Sequence, residues 1–221
     1  MRETTEVDRY VATRGDLAPG RLAYERAMYE GCVPQEFWFT IRNEVRHNLD
    51  AFNGYVMPYR RRLKRAYNHG YSLLFTGDNG TGKTMFMCYI LGRAVHQGFS
   101  VYYTTLKRMD TNIKAGFDDP PGARRLRAML AADFLAIDEL AKEHAKSEFL
   151  TAELEEILKA RYDDRYPTLL ASNSDFGVLS EMYGTTIASM LEGRYQRVEL
   201  DGGDFRGKTR GAMRKDMGYR A

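Results

Sequence analysis

Residues 72–84 read Ser-Leu-Leu-Phe-Thr-Gly-Asp-Asn-Gly-Thr-Gly-Lys-Thr. The stretch Gly77, Asp78, Asn79, Gly80, Thr81, Gly82, Lys83 and Thr84 fits the pattern G-x-x-x-x-G-K-[ST]. Glycines at these positions let the backbone wrap closely around a phosphate and turn its N–H groups toward it. A helix starting at Lys83 would aim its positive end at the same anion. Lys83 is then placed to reach the β- and γ-phosphates of a nucleoside triphosphate, and Thr84 to ligate magnesium.

A phosphate loop of this kind needs a second acid, at the end of another strand, to help hold the metal. Phe134-Leu135-Ala136-Ile137-Asp138-Glu139 supplies one after an apolar run. Asp138 is the candidate magnesium ligand beside Thr84, and Glu139 is the candidate base that orients and deprotonates an attacking water. That pairing suits a hydrolase rather than a kinase. A third polar position follows Thr168-Leu169-Leu170-Ala171-Ser172, where the amide of Asn173 can sense the γ-phosphate and position water. The plainer alternative is that Asn173 or Asp175 caps the following helix, a role that suits Asp175.

These side chains work together only if the strands carrying them lie side by side. Short apolar runs of strand length occur at 72–76, 100–105, 134–137, 168–172 and 197–200, with helix-length segments between the first four. Such alternation predicts a parallel sheet covered on both faces. The spacing predicts a largely apolar helix over 83–97. A second, amphipathic helix over 147–166 carries Leu150, Leu154, Ile157 and Leu158 on one side and ends at Pro167. Asp175, and then Thr185 or Thr186, would cap two further helices, the first closed by Gly184. Upstream, 21–69 reads as a helical preface broken at Pro34 and Pro58, and 1–20 as a frayed or partner-ordered tail. The chain is accordingly divided into 1–54, a core over 55–206, and a basic tail over 207–221.

With 221 residues, 43% of them hydrophobic and 29% charged, the chain has the composition of a folded domain. No apolar stretch approaches the roughly 18 residues that span a bilayer, and the N-terminus lacks a secretory h-region, so no membrane association and a cytoplasmic location are expected. Two cysteines, Cys32 and Cys88, and four scattered histidines form neither a disulfide framework nor a zinc site. The net charge of +3 hides two basic clusters: Arg60, Arg61, Arg62, Lys64 and Arg65, and the last sixteen residues. Each is either a solvated surface or a nucleic-acid contact.

The P-loop ending Gly-Thr-Gly-Lys-Thr (80–84), Ile-Asp-Glu-Leu (137–140), Ser-Asn-Ser (172–174) and Gly-Asp-Phe-Arg (203–206) together resemble the bacterial helicase-loader family of DnaC type and its transposon-encoded relative, the IstB-type ATPase. The resemblance runs from about Tyr55 to Arg206. It implies a doubly wound, five-stranded AAA+ fold with a short helical extension and no substantial C-terminal lid. It also implies ATP and Mg2+ at subunit interfaces, a spiral homo-oligomer, and delivery of a replicative DNA helicase onto single-stranded DNA. Arg206 then looks like the sensor-2 arginine. The family's arginine finger sits in an Asp-Arg-Leu or Asp-Arg-Met triplet, where this chain has Ser189-Met190-Leu191. Arg194, four residues beyond Met190 on the same helical face, is the candidate replacement and Arg197 the second choice. Otherwise hydrolysis at the interface is impaired.

Loader-type proteins carry a helical insertion on the DNA face between the second and third strands. Here that stretch holds Lys107, Arg108, Lys114, Arg124 and Arg125 with Phe117 among them, which suits a single strand. The alternative is a surface helix with a Pro-Pro turn. Phe37, Trp38 and Phe39 are either a partner anchor or part of the core. Three other functions share these motifs: a transposition ATPase of IstB type acting on duplex DNA, a small-molecule phosphotransferase, and an adaptor that binds ATP without turning it over.

Overall fold

The computed structural model describes residues 6–14, 17–39, 48–118, 120–141 and 147–203. A helical preface comes first: α1 (Glu6–Ala12), α2 (Pro19–Glu30), α3 (Leu49–Ala51) running through a π turn (Phe52–Val56) into α4 (Met57–Arg61), and α5 (Leu63–His69). The core then follows as β1 (Ser72–Thr76), α6 (Lys83–His96), β2 (Val101–Thr105), α7 (Leu106–Asp118), α8 (Pro120–Ala131), β3 (Phe134–Asp138), α9 (Glu148–Asp163), β4 (Thr168–Ser172), α10 (Phe176–Arg194) and β5 (Tyr195–Glu199).

All four pairings are parallel, in the order β2-β3-β4-β1-β5. β1, β3 and β4 are buried along their whole length, which is why their sequences run apolar without alternation. Neighbouring residues still face opposite layers. Leu73, Phe75, Ala136 and Ala171 pack with Phe86, Met87 and Ile90 of α6 and with the preface. Leu74, Leu135, Ile137 and Leu170 pack with Leu154, Ile157 and Leu158 of α9, Leu179 and Ile187 of α10, and Met109 of α7. The sheet is therefore covered on both sides, and its first four strands and helices fall close to their expected bounds.

β5 begins two residues earlier than its apolar run, because pairing with β1 starts at Ser72 and Tyr195. The helix expected over 147–166 starts after Ser147, whose hydroxyl accepts from the Leu150 N–H at 3.4 Å, and ends at Asp163. Asp175 caps α10, accepting from the Val178 N–H at 2.9 Å. Gly184, with φ 78° and ψ 179°, is non-helical and divides α10 into two helical stretches, the first closing at the expected glycine.

The preface differs most from expectation. Residues placed in a frayed tail form α1, whose Tyr10 stacks on Tyr29 with centroids 4.6 Å apart and donates to Glu25 at 3.1 Å. Glu25 is only 3% exposed and also accepts from Arg21 at 3.0 Å. Trp38 is buried, its indole N–H donating to the Val33 carbonyl at 2.7 Å, while Phe39 is half exposed under the Arg21 guanidinium. The Tyr103 N–H donates to the Gly31 carbonyl at 2.7 Å, so the loop after α2 covers the outer edge of β2. The approach is so close that a Cβ at Gly31 would lie 2.5 Å from the Val101 carbonyl oxygen. The expected boundary between 54 and 55 falls inside the π turn.

Candidate functional site

The loop after β1 is held from both sides. Gly77 has φ 137°, and a Cβ there would lie 2.3 Å from the Leu200 carbonyl oxygen, so only glycine fits between the loop and the end of β5. The Leu200 N–H donates to the Thr76 carbonyl at 2.8 Å and locks the two strand ends together. Inside the loop the Thr81 hydroxyl donates to the Asp78 carbonyl at 2.9 Å. From the preface, the Asn48 side-chain amide donates to the Thr81 carbonyl at 2.8 Å. Lys83 opens α6 and is buried, its ammonium donating to the carbonyls of Gly77 at 2.5 Å and Asp78 at 2.7 Å. The cation is thus held over the loop at the positive end of a helix, where phosphate oxygens are the natural partners for it.

One turn into the site the loop meets the end of β3. The Thr84 hydroxyl donates to Asp138 Oδ2 at 2.6 Å, joining residues far apart in sequence. Tyr103 on β2 donates its phenol to the same oxygen at 2.9 Å, and the Glu139 N–H donates to Asp138 Oδ1 at 2.8 Å. Burial above all, and then the neighbouring Asp138 charge, push the Tyr103 phenol far above its ordinary value, so it stays a donor. A hydroxyl and a carboxylate oxygen in contact form a hard donor pair, the kind magnesium takes while keeping waters and phosphate oxygens as its other ligands. The residues present therefore fit that metal. Glu139 is half-buried with φ 64°, a left-handed conformation uncommon for a residue other than glycine. Strain of this kind collects where a side chain must be aimed.

The Asn173 amide donates to Asn79 Oδ1 at 2.9 Å, so the residue after β4 touches the phosphate loop while Asp175 does the capping. A cavity of about 400 Å³ opens beside them, lined by Thr76, Gly77, Asp78, Asn173 and the end of β5. The loop, Lys83, Thr84, Asp138, Glu139 and Asn173 thus gather at the C-terminal edge of the sheet, where α/β folds bind ligands.

Arg194 does not join them. It precedes Tyr195, which pairs with Ser72 at the opposite edge, and its guanidinium donates to the Tyr162 carbonyl and lies 3.9 Å from the Tyr162 ring centroid. Arg197 lies over Phe176 and pairs with Glu192 at 3.4 Å. Arg206, the basic tail and the question of a lid lie outside the described residues. The stretch expected to bear the DNA face forms a hairpin of α7 and α8 at the β2 edge. Lys107, Arg108, Arg124 and Arg125 are exposed on it, and Lys114 pairs with Asp110 at 2.8 Å. The side chain of Phe117 lies outside the described residues. No group of three or more His, Cys, Asp or Glu that could hold a metal occurs among the described residues.

Two contributors had no motif to announce them. Asn48 lies upstream of the core, and Tyr103 sits in an ordinary strand sequence whose only hint was a polar tip expected to reach a partner when buried.

The family model described as IstB-like ATP binding protein matches residues 67–210, more than half of the chain. The chain belongs to that family. Two curated relatives agree. An ATP-binding protein of an IS21-like insertion sequence from Bacteroides fragilis is 32% identical over 78 residues, which is 35% of this chain and 37% of the relative. An IS1162 ATP-binding protein from Pseudomonas fluorescens is 32% identical over 69 residues, 31% of this chain and 30% of the relative. The matched stretches therefore span only about a third of those proteins, 37% of the first and 30% of the second. Among solved structures, the DnaC helicase loader superposes with a TM-score of 0.67 at 17% identity, covering 76% of this chain and all of that one. DnaI gives 0.63 at 18% identity over 79% of this chain and 98% of that one. DnaA bound to AMPPCP and single-stranded DNA gives 0.62 at 18% identity over 85% and 57%. At such identities the likeness is one of fold, and that fold is the P-loop AAA+ sheet described above. Among the described residues no helix is long and apolar enough to cross a membrane.

Proposed function

We propose that the chain binds Mg-ATP through residues 77–84, hydrolyses it with Glu139 as the base, and loads a replicative helicase onto single-stranded DNA. The observation that carries the nucleotide part is the 2.6 Å contact between Thr84 and Asp138, which joins the phosphate loop to an acidic strand end. Lys83 exchanges its loop carbonyls for β- and γ-phosphate oxygens. Thr84 and Asp138 hold the magnesium, which when bound offsets charge on those phosphates. Asn173, already touching the loop, orients the attacking water, and Glu139 accepts its proton as the bond to the γ-phosphorus forms and the bond to the leaving ADP oxygen breaks. Arg194 and Arg206 serve the neighbouring and the own nucleotide in a spiral homo-oligomer.

The helicase-loader part is supported by the likeness to DnaC and DnaI and by the outward cations of α7 and α8, which suit a phosphate backbone. A second reading, a transposition ATPase acting on duplex DNA, is favoured by the insertion-sequence relatives. Glu139→Gln tests the chemistry: nucleotide binding should persist and turnover fall at least about a hundredfold. Normal turnover would remove Glu139 as the base. Pull-down of the ATP-bound wild type then separates the two roles, a helicase supporting the first and a transposase the second. A preference for duplex over single-stranded DNA also supports the second.

A further inference from the structure

The sheet has another opening at its opposite edge. A cleft of about 490 Å³ lies where β1 and β5 begin, bounded by the π turn, α4, α5 and the end of α10. That volume is ordinary for a small-ligand site. Five strand residues, about 16 Å of chain, separate this edge from the phosphate loop. Arg62 and Arg65 line the cleft and are exposed, and Arg61 and Lys64 stand on the same two short helices. Among the described residues neither Arg61, Lys64 nor Arg65 has an ion-pair partner. The acid in the lining, Glu192, pairs with Arg197.

Two tyrosines complete the lining. Tyr55 is 43% and Tyr71 46% exposed, placing both among the most exposed large hydrophobic residues described. Tyr71 stacks on His69 with centroids 5.2 Å apart and planes at 14°, and the Tyr59 hydroxyl donates to its carbonyl at 2.6 Å. A held, solvent-facing ring already stacked on one side is a platform for one more flat ring. Cations beside it suit the phosphate attached to that ring.

We propose that this cleft binds one or two nucleotides of a nucleic-acid single strand, with Tyr55 and Tyr71 stacking bases and Arg62 and Arg65 on the flanking phosphates. It is a separate contact from the hairpin of α7 and α8, which lies at the β2 edge, whereas the cleft lies at the β5 edge. The inference rests on the reading that single-stranded DNA is a partner.

The test uses the full chain and a fluorescein-labelled single strand containing 5-bromodeoxyuridine. Irradiation should attach it to Tyr55 or Tyr71, read by peptide mass spectrometry. The double variant Arg62→Ala, Arg65→Ala should bind at least about fivefold more weakly, with a salt slope reduced by about 1.4. Tyr71→Ala, which leaves those charges in place, should weaken binding at least about fivefold without changing the slope. Retained nucleotide binding shows that each variant is folded. Attachment confined to residues 107–125 with unchanged affinity in the cleft variants would overturn the proposal and leave the single-strand reading standing. No strand binding with or without ATP would overturn both. Lys64 joined to a second copy by an amine-reactive cross-linker, with no nucleic acid attached in the cleft, would make this a subunit interface and equally overturn it.

Discussion

Asp138 receives hydrogen bonds from Thr84, Tyr103 and the Glu139 backbone, so its carboxylate is held by three separate pieces of chain. Groups that orient a metal ligand commonly matter to metal affinity by ten- to a hundredfold. Tyr103→Phe keeps the buried ring and removes the hydroxyl. The magnesium concentration needed for half-maximal binding of a fluorescent ATP analogue should rise roughly tenfold, with little change in unfolding temperature. An unchanged magnesium requirement would reduce Tyr103 to packing. At this scale the sequence was legible where spacing encodes chemistry. Lys83, Thr84 and Asp138 stood out because a phosphate loop followed by an acid at a strand end is a rare arrangement. Tyr103 and Asn48 did not, because a donor on another strand and an amide just ahead of a distant helix are brought in only by the fold.

Elements were readable for the same reason: strands buried on both faces read as apolar runs, and proline, glycine and capping residues marked where helices stop. What escaped was anything decided by tertiary contact. Helix α1 has little pattern of its own and is fixed by Tyr10 against Tyr29 and Glu25. Arg161 is a further case. It is 3% exposed, and its guanidinium donates to the Thr168 hydroxyl and to the carbonyls of Leu130, Ala132, Asp133 and Pro167, tying α9 to the end of α8 and the starts of β3 and β4. Burial brings its pKa down to about 10, so it remains charged near neutrality. Arg161→Ala should cost about 3 kcal/mol by leaving buried carbonyls unpaired. A lower urea midpoint with an unchanged slope would show this, whereas a shift near zero would mean that water replaces the guanidinium at no cost.

At the scale of the whole molecule, five parallel strands place the phosphate loop and Asp138 on one edge and Arg194 at the other. A head-to-tail assembly of identical chains brings two such edges together. If Arg194 serves a neighbour's nucleotide, Arg194→Ala alone should hydrolyse ATP several-fold more slowly than wild type, whereas Arg194→Ala subunits mixed with excess Glu139→Gln, which keeps Arg194, should match wild-type subunits mixed in the same ratio. Undiminished hydrolysis by Arg194→Ala alone would free the site from that arginine, and a rate that stays low in the mixture would place its action in its own subunit. Its contacts with Tyr162 mean that such a reach requires leaving a ring and a carbonyl of its own chain.

The most direct measurement is calorimetric titration of Mg-ATP into the folded chain and into Lys83→Ala. The account predicts saturable heat with about one nucleotide per chain for the wild type and at least about a hundredfold weaker binding for the variant, since a charge-assisted grip on two phosphates is lost. No heat from the wild type, or equal affinity in the two proteins, would contradict it.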